Sequence, residues 1–504
     1  MKQYIYITMV MFSLNSFGGE IPDSLTMTRE FLKEGNYKKA YHTIGQYFHD
    51  HPGDFNATWL YAYTSYYARH FSKSMHLYEE ATGISPGNYY LKLDYARTLV
   101  NIGDYNKALP LLRTYLDFEP KNTTALLNLA NLRYRQADYR KALSTLDKIS
   151  INADDYGYVA PMLKEIELAK APWISMGMGY TSDDQPMQGY FPEIKAGWSL
   201  HPLATVSLDL RSPVFRKNGQ TFYGLWGEAG NKFYFARPSL SLDISLGVLK
   251  FPGRNTFTMT GSVKLTKTFI RNLEIKLLGE RVPYFSTTSS IDSSVIEHHA
   301  ALSIGWKDMN SWNGSMTAEA RRYPIDSNTV ISLNGWVMSP PARFSVFELR
   351  FGLGYSYCTS GENNFVPEKS LAAILQDYDP DAGIKGIYNP YFTPKKQNVG
   401  SVIIAVSIHP GKLFDINLNA NLGVYSIVMV PFLYLDKNSS EDIFINKGFV
   451  SENYFPATAD LSVGFKPAWN IRLQADYHFS STYYYINNYA GLTLKINLTH
   501  AKGK

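Results

Sequence analysis

The stretch "SLSLDISLGV", Ser239–Val248, alternates along its whole length. Leu240, Leu242, Ile244, Leu246 and Val248 fall on one face of a strand. Ser239, Ser241, Asp243, Ser245 and Gly247 fall on the other. In a soluble sandwich the leucines would fill a core and Asp243 would meet bulk water. In a membrane barrel the leucines meet lipid and Asp243 meets a lumen. The rest of the chain decides between these two readings.

After Pro172 the same pattern repeats in segments of about ten residues, the length a lipid-spanning strand needs. About sixteen candidates begin near 173, 189, 203, 220, 238, 255, 272, 295, 312, 328, 345, 398, 413, 456, 469 and 485. "LATVSLDLRS" opposes Val206, Leu208 and Leu210 to Ser207, Asp209 and Arg211. "FDINLNANLGV" opposes Ile416, Leu418 and Leu422 to Asp415, Asn417 and Asn419. "NIRLQADYHF" opposes Ile471, Leu473 and Tyr477 to Arg472, Gln474 and Asp476. The segment near 220 is ambiguous, because Trp226 and Glu228 share a face.

The connections sort by length. Links from even to odd strands are mostly short, as in "HP" at 201–202 and "HPGK" at 409–412. Every long link runs from odd to even: about 284–294, 359–397 and 428–453. Short turns at one rim and long loops at the other, on an even strand count, mark a transmembrane barrel. Lipid offers no partner to a backbone N–H or C=O, so only a closed sheet survives there. The expected lumen face is polar and of mixed sign: Asp209, Arg211, Asp243, Glu274, Lys276, Glu319, Arg321, Glu348, Arg350, Asp415, Arg472 and Asp476. That mixture argues against a strongly ion-selective pore.

The first half has a different period. Pro52, Pro86 and Pro120 recur every 34 residues, as do Ala40, Ser74, Ala108 and Ala142, and Tyr37, Phe71, Tyr105 and Tyr139. This is the period of the tetratricopeptide repeat, a helix pair whose small residue permits close approach. Four copies span about Ile21 to Asp154, and a helix over about Val159–Ala171 caps the stack. Superposing the copies sets Trp59, Tyr63, Tyr66, Tyr67, Arg97, Asn101, Asn131, Tyr134 and Arg135 near the concave groove. Rings beside arginine and asparagine suit a sugar chain or a peptide; ordinary packing between helices is the alternative.

"MKQYIYITMVMFSLNSFGGE" opens the chain with one lysine, an apolar stretch and small residues, the pattern of a secretory signal peptide over 1–19. The expected organisation is therefore signal peptide 1–19, periplasmic repeats with capping helix 21–171, and outer-membrane barrel 172–499. Net charge is +5, too mild to argue for nucleic acid. The 38 tyrosines suit an interface where one end of a ring is dry and the other wet. Cys358 is the one cysteine, which excludes a disulfide framework within the chain.

No nucleotide-binding glycine loop, GxSxG or HExxH occurs. His298 and His299 are adjacent in a strand, point to opposite faces and cannot share a metal. "DYDPDAG" gives Asp377, Asp379 and Asp381 the odd spacing of a calcium loop. Its glycine comes one place late, and Tyr388 stands where the glutamate belongs. The expectation is no catalysis, no cofactor and no metal.

Signal peptide, tetratricopeptide repeats and a C-terminal barrel of about sixteen strands, in that order, resemble a class of Gram-negative outer-membrane proteins. These are the exopolysaccharide exporters of the poly-N-acetylglucosamine and cellulose type, and the YaiO-like barrels that follow such repeats. No barrel motif matches residue by residue, so no site residues are carried over. The resemblance implies an outer-membrane conduit for a polymer, most simply exopolysaccharide. Periplasmic repeats would dock the polymer or partner proteins, and the outer wall would meet lipid. The alternatives are a membrane-anchored repeat scaffold without transport, and a general porin.

Overall fold

The structure, a computed structural model, describes residues 23–150, 157–184, 187–201, 204–217, 219–235, 239–269, 273–309, 312–376, 383–411, 413–437 and 442–499. The expected signal peptide and the acidic run Asp377, Asp379 and Asp381 lie outside the described residues. The chain separates into two compact units, divided after Glu167.

The first unit is helical. Its helices are α1 (Asp23–Lys33), α2 (Tyr37–Asp50), α3 (Phe55–Tyr67), α4 (Phe71–Ile84), α5 (Tyr89–Ile102), α6 (Tyr105–Phe118), α7 (Thr123–Arg135), α8 (Tyr139–Leu146) and α9 (Val159–Lys170). The 34-residue period sets their starts as well as their packing. Asp54, Asn88 and Asn122, each 34 apart, cap α3, α5 and α7. Each side chain accepts from the first-turn N–H groups that have no carbonyl partner within the helix. The small positions are fully buried: Ala40, Ala108 and Ala142, with Ser74 donating to the Ala62 carbonyl at 2.7 Å. A larger side chain there would push the paired helices apart.

The second unit is a closed sixteen-strand antiparallel barrel. Its strands are β1 (Trp173–Asp183), β2 (Gln188–His201), β3 (Ala204–Arg211), β4 (Leu225–Phe235), β5 (Leu240–Lys250), β6 (Phe257–Thr268), β7 (Leu273–Pro283) and β8 (Ile296–Met309). They continue with β9 (Trp312–Tyr323), β10 (Asn328–Met338), β11 (Phe347–Ser360), β12 (Gln397–Ile408), β13 (Phe414–Lys437), β14 (Ala457–Ala468), β15 (Ile471–Ser481) and β16 (Ile486–Asn497). Closure is made by β1, which pairs with β2 from Trp173↔Gly197 to Ser182↔Gln188. On its other edge it pairs with β16 from Trp173↔Asn497 to Asp183↔Asn487. Among the described residues no barrel strand is left with an edge for lipid to satisfy.

The alternation sorts the two faces. Leu246, Met259 and Leu353 are 64%, 65% and 63% exposed. On the opposite face, carboxylates and cations pair between strands: Asp209 with Lys195 and Asp243 with Lys232 on neighbours, Asp415 with Arg472 across β14. The greasy face is outer and the wet face is inner, so the barrel is built to sit in a membrane. Among the described residues no helix is long and apolar enough to cross one.

Two expectations need correction. The strand expected near 220 begins at Leu225; Gln220–Tyr223 instead forms a short arm with Val214–Lys217. Trp226 and Glu228 both face inward, which resolves their ambiguity, since Asp209 lies opposite Glu228 and Arg211 opposite Trp226. The described residues of the stretch 428–453 are mostly strand rather than loop. They carry the second half of the 24-residue β13, whose residues Ile427–Lys437 pair with Ile443–Asn453 above the barrel. Alternation outlasts the membrane because strand pairing is as available in water as in lipid.

Candidate functional site

In the helical unit the expected groove residues divide. Trp59 and Tyr63 are buried, 2% and 5% exposed, so neither offers a free ring face. Trp59 Nε1 donates to Asp94 Oδ2 at 3.0 Å. Tyr63 donates to the Tyr67 hydroxyl at 3.2 Å, and Arg97 donates to that same hydroxyl at 3.3 Å. Tyr66 and Tyr67 are half-buried, edge to face at 5.1 Å. Asn131 and Tyr134 are half-buried, with Tyr134 against Tyr139, while Asn101 and Arg135 are exposed. The aromatic cluster therefore works mainly as packing between α3 and α5. Its accessible polar edge is Tyr66, Tyr67, Asn101 and Arg135.

Asp94 is the residue the sequence reading missed. Burial pushes its carboxyl up to about 6, against the pull of Arg97 and of the Trp59 hydrogen bond. Burial works to lower Arg97, but Tyr63, Tyr67 and Asp94 outweigh it and hold the guanidinium above its ordinary value. An acid inside the apolar run "LKLDYA" was the available signal.

In the barrel the inner wall is a mesh of charges. Arg211 is flanked by Asp209 on its own strand, by Glu193 Oε2 at 3.9 Å and by Glu228 Oε2 at 3.7 Å. Lys195 reaches Glu193 at 2.8 Å and Asp209 at 3.7 Å. Three carboxylates and two cations thus share one patch without a strong net field. Further round, Lys276 pairs with Glu274 at 2.5 Å, and Arg321 with Glu319 at 3.1 Å. His299 lies 2.8 Å from Glu280 and 3.7 Å from Glu319, while His298 meets Arg281 on the other face. Glu348 is bound by Arg343 at 2.9 Å, and Arg350 donates to the Ser339 carbonyl at 3.0 Å. Asp415 accepts from Arg472 at 2.9 Å, and Gln474 donates to Asp476 at 2.9 Å. Half-exposed pairs of this kind, along a strand or between strands, contribute roughly 0.2–1 kcal/mol each, so they align the wall more than they hold it together. Among the described residues no cluster of His, Cys, Asp and Glu could hold a metal ion.

Aromatic rings lie flat on the same wall, which sequence alone did not reveal. Tyr489 covers the paired glycines Gly179 and Gly491. A Cβ on either would fall 2.9 or 2.8 Å from it. Trp173 covers Gly197 in the same way, with Lys495 Nζ 4.5 Å from the ring centre. Arg211 stacks on Trp226 at 4.3 Å, and Trp226 Nε1 donates to Thr260 at 2.9 Å. Glycine opposite an inward aromatic was the missed signal.

The long loops meet over one mouth of the barrel. Between β7 and β8, helix α10 (Thr288–Asp292) is tied by Lys217 and Arg254 to its Asp292, and Phe285 packs on Phe215 and Phe251. Between β11 and β12, the ribbon Phe365–Pro367 with Gly386–Tyr388 and the helix α11 (Leu371–Gln376) replace a plain loop. Tyr391 of this segment stacks on Tyr323 at 3.6 Å, and Phe392 touches Tyr484 of the β15–β16 turn. A cavity of about 500 Å³ lies beneath. Phe285 and Tyr485, from hairpins half a circumference apart, both line it. Loops that share one cavity from opposite sides of a ring must meet near its axis.

Residues 102–166 match the tetratricopeptide repeat family model. Nothing among curated proteins matches the chain. Among solved structures, a bacterial polysaccharide outer membrane secretin is similar over 65% of this chain and 99% of its own, at 10% identity and TM-score 0.46. The loop-deleted OmpT outer membrane protein of Vibrio cholerae is similar over 64% and 98%, at 10% identity and TM-score 0.31. A tetratricopeptide repeat protein from Parabacteroides merdae is similar over 33% and 66%, at 12% identity and TM-score 0.28. The chain joins a tetratricopeptide repeat region to a closed sixteen-strand antiparallel barrel whose apolar face is outward.

Proposed function

We propose that the chain is an outer-membrane conduit through which a Gram-negative cell secretes a polysaccharide. The repeats stand in the periplasm and dock the polymer or its partner proteins. One observation carries the reading: the inner wall is polar and of mixed charge around Glu193, Lys195, Asp209, Arg211 and Glu228. An uncharged, water-loving chain meets neither a repelling field nor a sticky apolar surface on such a wall. An ion-selective pore would instead concentrate one sign of charge. The reading assigns the chain no catalytic step. Deleting the gene and weighing surface polysaccharide tests it. Loss of the polymer, restored by the intact chain, is the expected result; an unchanged surface rejects the conduit.

A second reading has its own support. The loops that meet over one mouth suit a sealed barrel that anchors a repeat scaffold for a protein complex. Under that reading, protein partners co-purify through the repeats, and opening the mouth leaves the surface polymer untouched.

A further inference from the structure

The conduit reading leaves open what the wall would hold. At the seam where the barrel closes, large side chains sit on inward glycines. Trp173 lies over Gly197, Glu193 folds over Gly177, and Tyr489 lies over Gly179 and Gly491. These groups follow one inward row of β1, from Trp173 to Gly179, about 20 Å along the strand at ~3.3 Å per residue. The row ends at the cavity of about 500 Å³, lined by Tyr489, Trp226, Glu193, Arg211, His478 and Asn487.

We propose that this row and its end cavity are a binding track for an uncharged pyranoside chain; the inference rests on the conduit reading. Glycines beneath Tyr489 and Trp173 let each ring drop against the backbone. Lys495 sits over the Trp173 ring, so the open π face is that of Tyr489, which keeps 37% of its surface exposed while pointing inward. The C–H face of a pyranose stacks on such a ring, and its hydroxyls need donors and acceptors at the rim. Glu193 and Asn487 supply them beside Tyr489. At the cavity end Arg211 is compensated by Asp209, Glu193 and Glu228, which leaves little attraction there for a polyanion; the cation at the far end, Lys495, lies over Trp173. A purely apolar ligand would have to strip water from Glu193 and Arg211 without replacing their hydrogen bonds.

The test uses the full chain in detergent and titrates cellohexaose, maltohexaose and N-acetylglucosamine hexamer, with a polyuronate as the anionic control. Binding is read by calorimetry. At least one neutral hexamer should bind, and the polyuronate should not. Tyr489→Ala should weaken binding about ten- to a hundredfold, the range of a lost aromatic anchor. Tyr489→Phe, which keeps the ring, should bind within about threefold of the parent, a difference under ~1 kcal/mol. Heat-shifted migration on a gel reports that each variant is folded. No binding by any neutral hexamer overturns the track, as does a folded Tyr489→Ala that binds like the parent. Binding in a protein whose deletion leaves surface polymer unchanged rejects the conduit and supports the track. Lost polymer without hexamer binding overturns the track and spares the conduit.

Discussion

Thr287 Oγ1 donates to the carbonyl of Pro390 at 2.7 Å, across 103 residues of chain. Thr287 belongs to the β7–β8 connection and Pro390 to the β11–β12 connection, a quarter of the barrel away. Lys447 Nζ also donates to the Asn363 carbonyl at 2.6 Å, tying in the extended β13–β14 hairpin. The loops over this mouth thus interlock as one cap.

A cap held by contacts between loops should be removable without unfolding the strands. The intact chain is expected to give little or no current in a planar bilayer. Deleting 363–395 and bridging the ends with a short glycine–serine linker should raise conductance severalfold while the gel shift of the folded barrel persists. A large steady current from the intact protein would show that the loops leave a wide path.

The facing of β5 can be read from two substitutions. Leu246 is 64% exposed on the outer wall at the middle of its strand, and Asp243 faces Lys232 on the inner wall at 3.5 Å. Leu246→Arg should destabilise the assembled barrel by roughly 2–4 kcal/mol at mid-depth. Asp243→Asn should leave assembly within about 0.5 kcal/mol of the parent, as for a solvated pair. Urea titrations in lipid vesicles measure both; equal losses would reverse the facing.

Asp94 makes the stability of the repeats fall as pH rises. Its carboxyl is raised from 3.8 to about 6 by burial, so the folded unit binds a proton that the unfolded chain has lost. Stability is full below about pH 4 and declines through about pH 6, by roughly 2–3 kcal/mol at most. Asp94→Asn keeps an acceptor for Trp59 and should flatten this slope. Thermal melts of the full chain, followed by the helical signal at 222 nm, compare the two proteins between pH 4.5 and 7.5.

The caps are testable by the same signal. Asp54 accepts from the N–H groups of Asn56 and Ala57 at 2.8 and 3.1 Å. Asp54→Ala strands both and should cost about 1–2 kcal/mol. Asp54→Asn should recover most of the loss. A cost near zero would mean that water replaces the cap.

The 34-residue spacing of Ala40, Ser74, Ala108 and Ala142 was enough to specify helix pairs, because a small residue at a fixed interval permits only one close packing. Alternation in Leu240–Val248 and its siblings was enough to specify strands, and loop lengths their order, because period two and an even count leave a closed barrel as the stable answer. Those signals are local or periodic, so the sequence carries them openly. Three outcomes depended on tertiary structure: burial of Trp59 and Tyr63 against Asp94, the flat seat of Tyr489 on Gly179 and Gly491, and the meeting of Thr287 with Pro390. Each joins residues distant in the chain, such as Trp59 with Asp94 or Gly179 with Tyr489, whose approach is set by packing, register and closure. No pattern in the chain encodes that geometry until every strand has its neighbour.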